Sequence, residues 1–316
     1  MSSRNVSYAE RLLRAAAVPL LYAPIRAGEP SVLPAAAGAP SGLPPQRISV
    51  VTPSLNQGEF LERTLRSVLD QRHPALEYVV QDGGSTDASL AILQRWGDRL
   101  AGWDSRPDAG QSAAINAGFR RTTGEIMLYL NSDDVLFPGA LPFVSDYFAA
   151  HPEADVVYSH ALLIDRDDRR VAAMTVPRHS DRALRWYNFV PQPTCAWRRR
   201  VWEAAGSGLD ESLHYSMDWD LWNRFLDVGA RFARLPTFLA GFRVHPAQKT
   251  QQKWMVGRDE GNLVRRRHTG RDVSFAEFAL RCSPHALRRI ALTCACRLGA
   301  RRIELPCRVE PCGCES

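Results

Sequence analysis

The chain has 316 residues, 45% of them hydrophobic and 9% aromatic, with 21 glycines and 21 prolines, which suits one large α/β domain with tails or two average domains. This composition excludes a mainly disordered, collagenous or coiled-coil chain. The net charge of +6 lies at the ends: residues 1–46 carry four Arg against two acids, residues 258–316 carry twelve against seven, and the middle holds 24 basic and 25 acidic residues. A near-neutral middle gives no electrostatic track for a phosphate backbone, so no nucleic-acid partner is expected.

From the start, Ala15 to Ile25 is apolar but broken by Pro19 and Pro24, and it falls short of the roughly 18 to 20 residues that cross a bilayer. No signal peptide is read there, which points to a reducing cytoplasm and free thiols. Pro30 to Pro45 is rich in Pro, Ala, Gly and Ser and reads as a linker. Residues 1–46 are therefore expected to be a tail, 47–257 the working domain, and 258–316 a basic, Cys-containing helical tail.

Arg47 to Thr52 is a β-branched run that predicts a strand, and Gln57 to Gln71 carries Phe60, Leu61, Leu65, Val68 and Leu69 on a helical stripe. Glu77 to Gln81 predicts a second strand running into Asp82-Gly83-Gly84, with Ser85, Thr86 and Asp87 as caps for a helix bearing Leu90, Leu93 and Trp96. A small-residue helix at Ser112 to Arg121 then leads to a strand at Glu125 to Leu130, which stops at Asn131-Ser132-Asp133-Asp134. Such alternation predicts a mostly parallel sheet with helices on both faces, whose ligands sit beyond the carboxyl ends of the strands. Asp82 and the Asp133/Asp134 pair both fall at such ends, and hence on one rim. After Pro152 the rhythm breaks: strands at Asp155 to Ser159 and Val171 to Met174, then an aromatic stretch to His245, predict an α+β extension closing the acceptor side of the pocket.

Adjacent acids after a strand commonly serve turns, but at this position their hard oxygens also suit Mg2+ or Mn2+ with open sites for substrate phosphates. Asp82 before two glycines is either a helix-entry residue or an acceptor for a base N–H. In Tyr215 to Arg224, helical spacing puts Asp218 with Leu221 and Trp222 on an apolar face and turns Asp220 toward Arg224. Asp218 there is either a helix N-cap or a general base, since desolvation raises a carboxylate's proton affinity.

Taken together, Val51-Thr-Pro-Ser-Leu-Asn56, Asp82-Gly-Gly-Ser-Thr-Asp87, Asp108-Ala-Gly-Gln-Ser112 leading to Asn116-Ala-Gly118, Asn131-Ser-Asp-Asp134 and Met217-Asp-Trp-Asp220 resemble the family 2 glycosyltransferases of GT-A fold, from about Ile48 to Thr250. The resemblance implies an inverting enzyme using a nucleotide sugar, with UDP the expected nucleotide. The backbone near Pro53 and the side chain of Asp82 would hold the base, Asp133 would contact ribose, Asp134 would coordinate the metal, and Asp218 would be the base that activates the acceptor. Met217 stands where family members often have Glu. Arg243-Val-His245 resembles a later family motif whose His approaches the metal or diphosphate, a plain loop residue being the alternative; Asp108 and Asn116 match positions near the donor, with a helix cap and a packing role as alternatives, and Pro191-Gln-Pro-Thr194 lies where sugar or acceptor contacts are expected. The acceptor implied is a glycan or a lipid-linked sugar. A catalytically silent envelope scaffold and a sugar nucleotidyltransferase are the competing readings, the latter opposed by Pro53-Ser-Leu-Asn-Gln57 in place of a glycine-rich phosphate loop.

In the last segment, His285 to Arg302 predicts a basic amphipathic helix with Leu287, Ile290, Ala291, Cys294 and Leu298 on one side. It would either lie on an anionic membrane surface, at the inner face of the membrane, or pack on the domain. The C-x-C pairs Cys294/Cys296 and Cys312/Cys314 lack the spacing and the His of familiar zinc sites, so unpaired thiols are expected.

Overall fold

The computed structural model describes residues 22–24, 44–246, 248 and 254–297, apart from the side chains of 22–24, 254, 255, 275, 296 and 297. Its first element is a short strand, β1 (Tyr22–Pro24), followed by four parallel strands: β2 (Ile48–Ser54), β3 (Leu76–Asp82), β4 (Gly102–Ser105) and β5 (Ile126–Tyr129). They lie side by side as β5-β2-β3-β4. Helices α1 (Leu61–Leu69), α2 (Ser89–Trp96) and α3 (Gln111–Phe119) fill the connections.

All of β2 is buried, as expected of a strand covered on both faces. Its side chains alternate between two cores: Val50 packs with Leu61, Leu65, Tyr78, Val80 and Leu128, and Val51 with Val79, Ile115, Phe119, Met127 and Trp197. The α1 stripe is as expected, with Leu61, Thr64, Leu65, Val68 and Leu69 buried. Helix α3 is made of small residues because it lies almost on the sheet. A Cβ at Gly118 would stand 2.4 Å from Val51 Cγ1.

The second half contains β6 (Val135–Leu136), α4 (Ala140–Ala150), β7 (Val156–Ile164), β8 (Arg170–Met174), α5 (Asp181–Leu184), β9 (Ala196–Arg198), α6 (Arg199–Ala204), α7 (Met217–Asp227) and β10 (Phe232–Arg243). The parallel order expected of the alternating half holds for β2 to β5, and here the chain takes the α+β pattern expected after Pro152. Strand β9 runs antiparallel to both β5 and β7, β8 antiparallel to β7, and β1 antiparallel to β8, while β10 is parallel to β7. The sheet is mixed, because the right-handed βα crossovers end at β5 and later strands return through turns. Strand β10 passes through Pro236, which the sheet accommodates with a register shift between Arg234 and Phe238.

The segments read as tails contribute packed elements. Strand β1 extends the sheet edge at β8. Helix α8 (Trp254–Thr269) buries Val264, and its Glu260 carboxylate accepts the backbone N–H groups of His214, Tyr215 and Ser216 at 2.7–2.8 Å. Helix α9 (Phe275–Arg297) begins ten residues before the expected helix, and the expected stretch 298–302 lies outside the described residues. So do most of the expected linker and Cys307, Cys312 and Cys314. Cys195, Cys282 and Cys294 are free thiols. Among the described residues no helix is long and apolar enough to cross a membrane.

Candidate active site

Strand β3 delivers Asp82 to the rim, where the chain turns sharply through Gly84 at φ +83°. The Asp82 carboxylate is 1% exposed. Its Oδ2 accepts from the backbone N–H groups of Gly84 (3.2 Å) and Ser85 (2.8 Å) and from Ser105 Oγ (2.7 Å), and its Oδ1 from Ser85 Oγ (2.5 Å). This carboxylate holds the turn, and Oδ1, with a single donor, keeps acceptor capacity for the expected base N–H. Pro53 is buried at the end of β2 as expected. Asp108 is exposed, with Oδ1 accepting from the Gly110 N–H at 2.7 Å. A Cβ on Gly83 would come 3.3 Å from Asp108 Oδ2 and 3.4 Å from Leu55 Cδ1, so these two side chains flank the glycine. Leu55 is 55% exposed, the most exposed large apolar side chain on this rim.

Asn116 is not at the rim. Its amide pairs with both backbone groups of Leu209 (2.7 and 3.0 Å) and with Glu211 (3.0 Å), stapling the 205–216 loop to α3. Of the two roles open to it, packing and a donor contact, these bonds are the packing one.

The Asn131-Ser-Asp-Asp134 turn follows β5. Asp134 points inward at 1% exposure; its Oδ1 accepts the backbone N–H of Arg243 at 2.9 Å, and its Oδ2 faces Asn131 Nδ2 at 3.4 Å. Burial pushes its carboxyl well above the usual range, and the adjacent Asp133 pushes the same way. Asp133 is the more open of the two, with Oδ2 3.0 Å from His245 Nε2. Beneath them lies Arg243, fully buried, donating to the carbonyls of Asp133 (2.6 Å) and Asp165 (2.7 Å) and to the Asp168 carboxylate, with its guanidinium 4.9 Å from the Phe60 ring centre. Asp133 offers a hard oxygen of the kind that suits Mg2+ or Mn2+, but among the described residues no group of three His, Cys, Asp or Glu side chains is placed to hold a metal ion. A cation here would depend on phosphate oxygens and water for most of its shell.

Asp218 occupies the first turn of α7, which starts at Met217 after Ser216, so it is not the N-cap. Peptide dipoles at this end favour a carboxylate. It is half-buried, with Oδ2 accepting from Asn188 Nδ2 at 2.8 Å and Oδ1 from the Trp219 N–H at 2.7 Å. The expected faces of this helix are partly exchanged. Asp220 does pair with Arg224 (2.9 Å), but it is 2% exposed, since α8 covers it with Arg267 (3.4 Å) and His268 (3.5 Å). Asp218 is the acid that reaches the rim.

Sequence reasoning missed the connection between the two acidic centres. Gln192, in a short 3-10 turn (Gln192–Thr194), donates to Tyr129 O at 2.8 Å and accepts from Asn131 at 3.2 Å, while Gln111 donates to Asn131 at 2.7 Å. Burial chiefly, and then the charges of Asp218, Cys195 and Asp134, push the Tyr129 hydroxyl well above its usual value. Both carboxylates therefore lie within electrostatic reach of one ring.

Residues 49–204 match the family described as Glycosyl transferase family 2. An uncharacterized glycosyltransferase of Nostoc sp. is 31% identical over 169 residues, 50% of this chain and 52% of the relative, so this chain spans about half the length of that protein. The amylovoran biosynthesis glycosyltransferase AmsE of Erwinia amylovora is 26% identical over 214 residues, 66% of this chain and 79% of the relative. Among solved structures, S. aureus TarS 1-349 in complex with UDP superposes with a TM-score of 0.56 at 18% identity, covering 78% of this chain and 72% of that one. The mannosyltransferase PcManGT from Pyrobaculum calidifontis, in complex with GDP-Man and Mn2+, gives 0.55 at 18% identity over 87% and 80%. At these identities the likeness establishes the fold, a mixed α/β sheet of the GT-A type.

Proposed function

Because this chain belongs to glycosyl transferase family 2, we propose that it moves a sugar from a nucleotide-sugar donor, a UDP-sugar first among the candidates, to a hydroxyl of a glycan or lipid-linked acceptor in cell-surface polysaccharide synthesis. The polysaccharide role is carried over from relatives such as the amylovoran enzyme. The nucleotide is suggested by the UDP complex of a fold neighbour. What supports the reading is that the charges of Asp218 and Asp134 both act on the buried Tyr129, whose carbonyl binds Gln192, while Gln192 in turn accepts from Asn131 of the Asp133/Asp134 turn.

The nucleoside would lie between Leu55 and Asp108, against the backbone of Pro53 and Gly83, on the turn that Asp82 holds. The roles that the resemblance implies, ribose for Asp133 and metal for Asp134, are revised in this reading, because Asp134 is buried against the Arg243 backbone while Asp133 is more open: Asp133 and His245 would hold a divalent cation with Asp134 behind them, and when bound it would neutralise the diphosphate and ease its departure. Asp218, held by Asn188, would take the proton of the acceptor hydroxyl as that oxygen attacks the anomeric carbon. The bond to the nucleoside diphosphate breaks on the opposite face, so the configuration inverts without a covalent sugar-enzyme intermediate.

Asp218→Asn tests this directly: nucleotide binding should persist while transfer is lost, and unchanged turnover would remove Asp218 as the base. Failure of every nucleoside diphosphate to raise the melting temperature at millimolar concentration would favour the silent scaffold instead.

A further inference from the structure

The two most exposed large apolar side chains among the described residues are Leu280 (73%) and Leu287 (62%), both on α9. Seven residues apart, they share a face, together with Ala276, Ser283, Pro284 and Ala291. All of these but the half-buried Ser283 are exposed. The opposite side of the helix is the more polar one: Cys282, His285 and Thr293 are buried, His285 against Tyr187 and Thr293 against Thr175 at 3.0 Å. The helix thus presents an apolar stripe outward although its inner side, which also carries the half-buried Phe278 and Leu292, is already packed on the domain. This differs from the face expected around Ile290, which is half-buried.

We propose that the outward face of α9 docks on an anionic lipid surface, a role beyond sugar transfer itself. Three observations favour lipid as the occupant. The one acid of the helix, Glu277, is already held between Arg271 and Arg281, so the exposed Arg288 is left as the charge beside the stripe, with Arg289 half-buried on the domain side. Arg288 borders the stripe exposed, so basic charge meets the head groups as leucine enters the acyl boundary. Pairing of two copies through the same stripe is disfavoured, because an antiparallel arrangement about Pro284 sets Arg281 of one copy near Arg288 of the other.

The third observation concerns the backbone. Pro284 has no N–H for the carbonyl of Leu280, one turn earlier, and an unpaired carbonyl is costly in a medium of low dielectric. Ser283 Oγ donates to that carbonyl at 2.9 Å. The stripe can leave water without orphaning the polar group that proline would have exposed.

Seating α9 on a membrane also positions the rim. Its Arg281 lies over the Trp186 ring at 4.6 Å, and His285 bonds Tyr187, one residue before the Asn188 that holds Asp218. A docked helix would bring the Asp218 side of the cleft to the bilayer, where a lipid-linked acceptor resides; this last step alone rests on the proposed function.

Flotation of the full chain with vesicles of phosphatidylcholine containing about 30% phosphatidylglycerol, against phosphatidylcholine alone, tests the docking. Binding should require the anionic lipid, fall severalfold in high salt, and drop at least tenfold in the double variant Leu280→Asp/Leu287→Asp, whose melting temperature should match the parent. Equal binding to both vesicles, or undiminished binding by the variant, would overturn the proposal. So would a large loss of thermal stability in the variant, which would mean that the leucines are covered by the chain itself, or a change from dimer to monomer by light scattering, which would mean that they are covered by a second copy.

Discussion

The Asn188 side-chain amide donates to Asp218 Oδ2 at 2.8 Å, joining the segment after α5 to the first turn of α7. The other carboxylate oxygen accepts the Trp219 N–H, so the carboxylate is fixed in direction by one side chain and one backbone group. A hydrogen bond to a charged group contributes about 1.5–3 kcal/mol. Asn188→Ala should therefore lower kcat by about ten- to a hundredfold while leaving the affinity for the nucleotide unchanged. Stopped-time assays of nucleoside diphosphate release, paired with calorimetric binding of UDP, separate the two; weakened nucleotide binding with normal kcat would place Asn188 in the donor site instead.

The pairing of Asp133 with His245 at 3.0 Å yields a second expectation. Thermal shift with UDP should be larger with Mn2+ than without it, since a ligand at about a hundred times its Kd adds about 2.7 kcal/mol to the folded state. Asp133→Ala and His245→Ala should each abolish the metal-dependent increment; Asp133→Ala should nearly keep the parent melting temperature without ligand, while His245→Ala should lower it, because that ring is buried against Phe60. Asp134→Ala should also lower the unliganded melting temperature, because it leaves the Arg243 backbone N–H without its buried acceptor. An intact Mn2+ increment in Asp133→Ala would remove that residue from the cation site.

Much of this site was legible because strand ends carry their acids in the sequence itself. The run from Ile48 announces a strand by its β-branched residues, and Asp82 and Asp133 follow buried strands directly. What escaped was long-range. Whether Asp82 faces ligand or protein depends on Ser105, twenty-three residues later, and whether Asn116 reaches the donor depends on a loop ninety-three residues away. Strand β4, Gly-Trp-Asp-Ser, has the composition of a turn and is a strand only because β3 offers it an edge. Which of Asp218 and Asp220 is buried was decided by α8, an element the local spacing of α7 does not contain.

The close approach of α3 to β2 gives a stability prediction independent of function. A methyl group at Gly118 would overlap Val51 Cγ1 at 2.4 Å, and Val51 is a fully buried member of the core. Overpacking of this kind costs about 1–3 kcal/mol. Gly118→Ala should lower the urea midpoint with an unchanged m-value, and Gly118→Ala/Val51→Ala should recover part of the loss, since the second change removes the obstructing methyl groups. Two purely additive losses would show that the strain lies elsewhere.

Buried histidines shape the acid side of the stability profile, His160 and His285 most strongly, with His73 and His179 lowered by burial in the same direction. Burial, aided by Arg234, lowers His160 to about 3, and burial lowers His285 to about 4, with Arg289 and Arg288 acting in the same direction against a backbone hydrogen bond. Both lie below the value of about 6.5 for an unfolded histidine. Between these values the unfolded chain holds protons that the folded chain rejects, so stability is fully present above pH 6.5 and is lost as pH falls toward 4 and then 3. Each histidine should contribute a slope approaching about 1.4 kcal/mol per pH unit within its window. Asp210 acts lower: serine hydrogen bonds and Arg267, outweighing burial, bring it down to about 2. Its contribution disappears only as pH drops below the ordinary carboxylate range, which leaves pH 4.5 to 6 to the histidines. Urea melts across that interval should show the slope, reduced by the raised Asp134, which works in the opposite direction, and His285→Gln should flatten it further. An unchanged slope in His285→Gln would mean that this ring takes up a proton in the folded state.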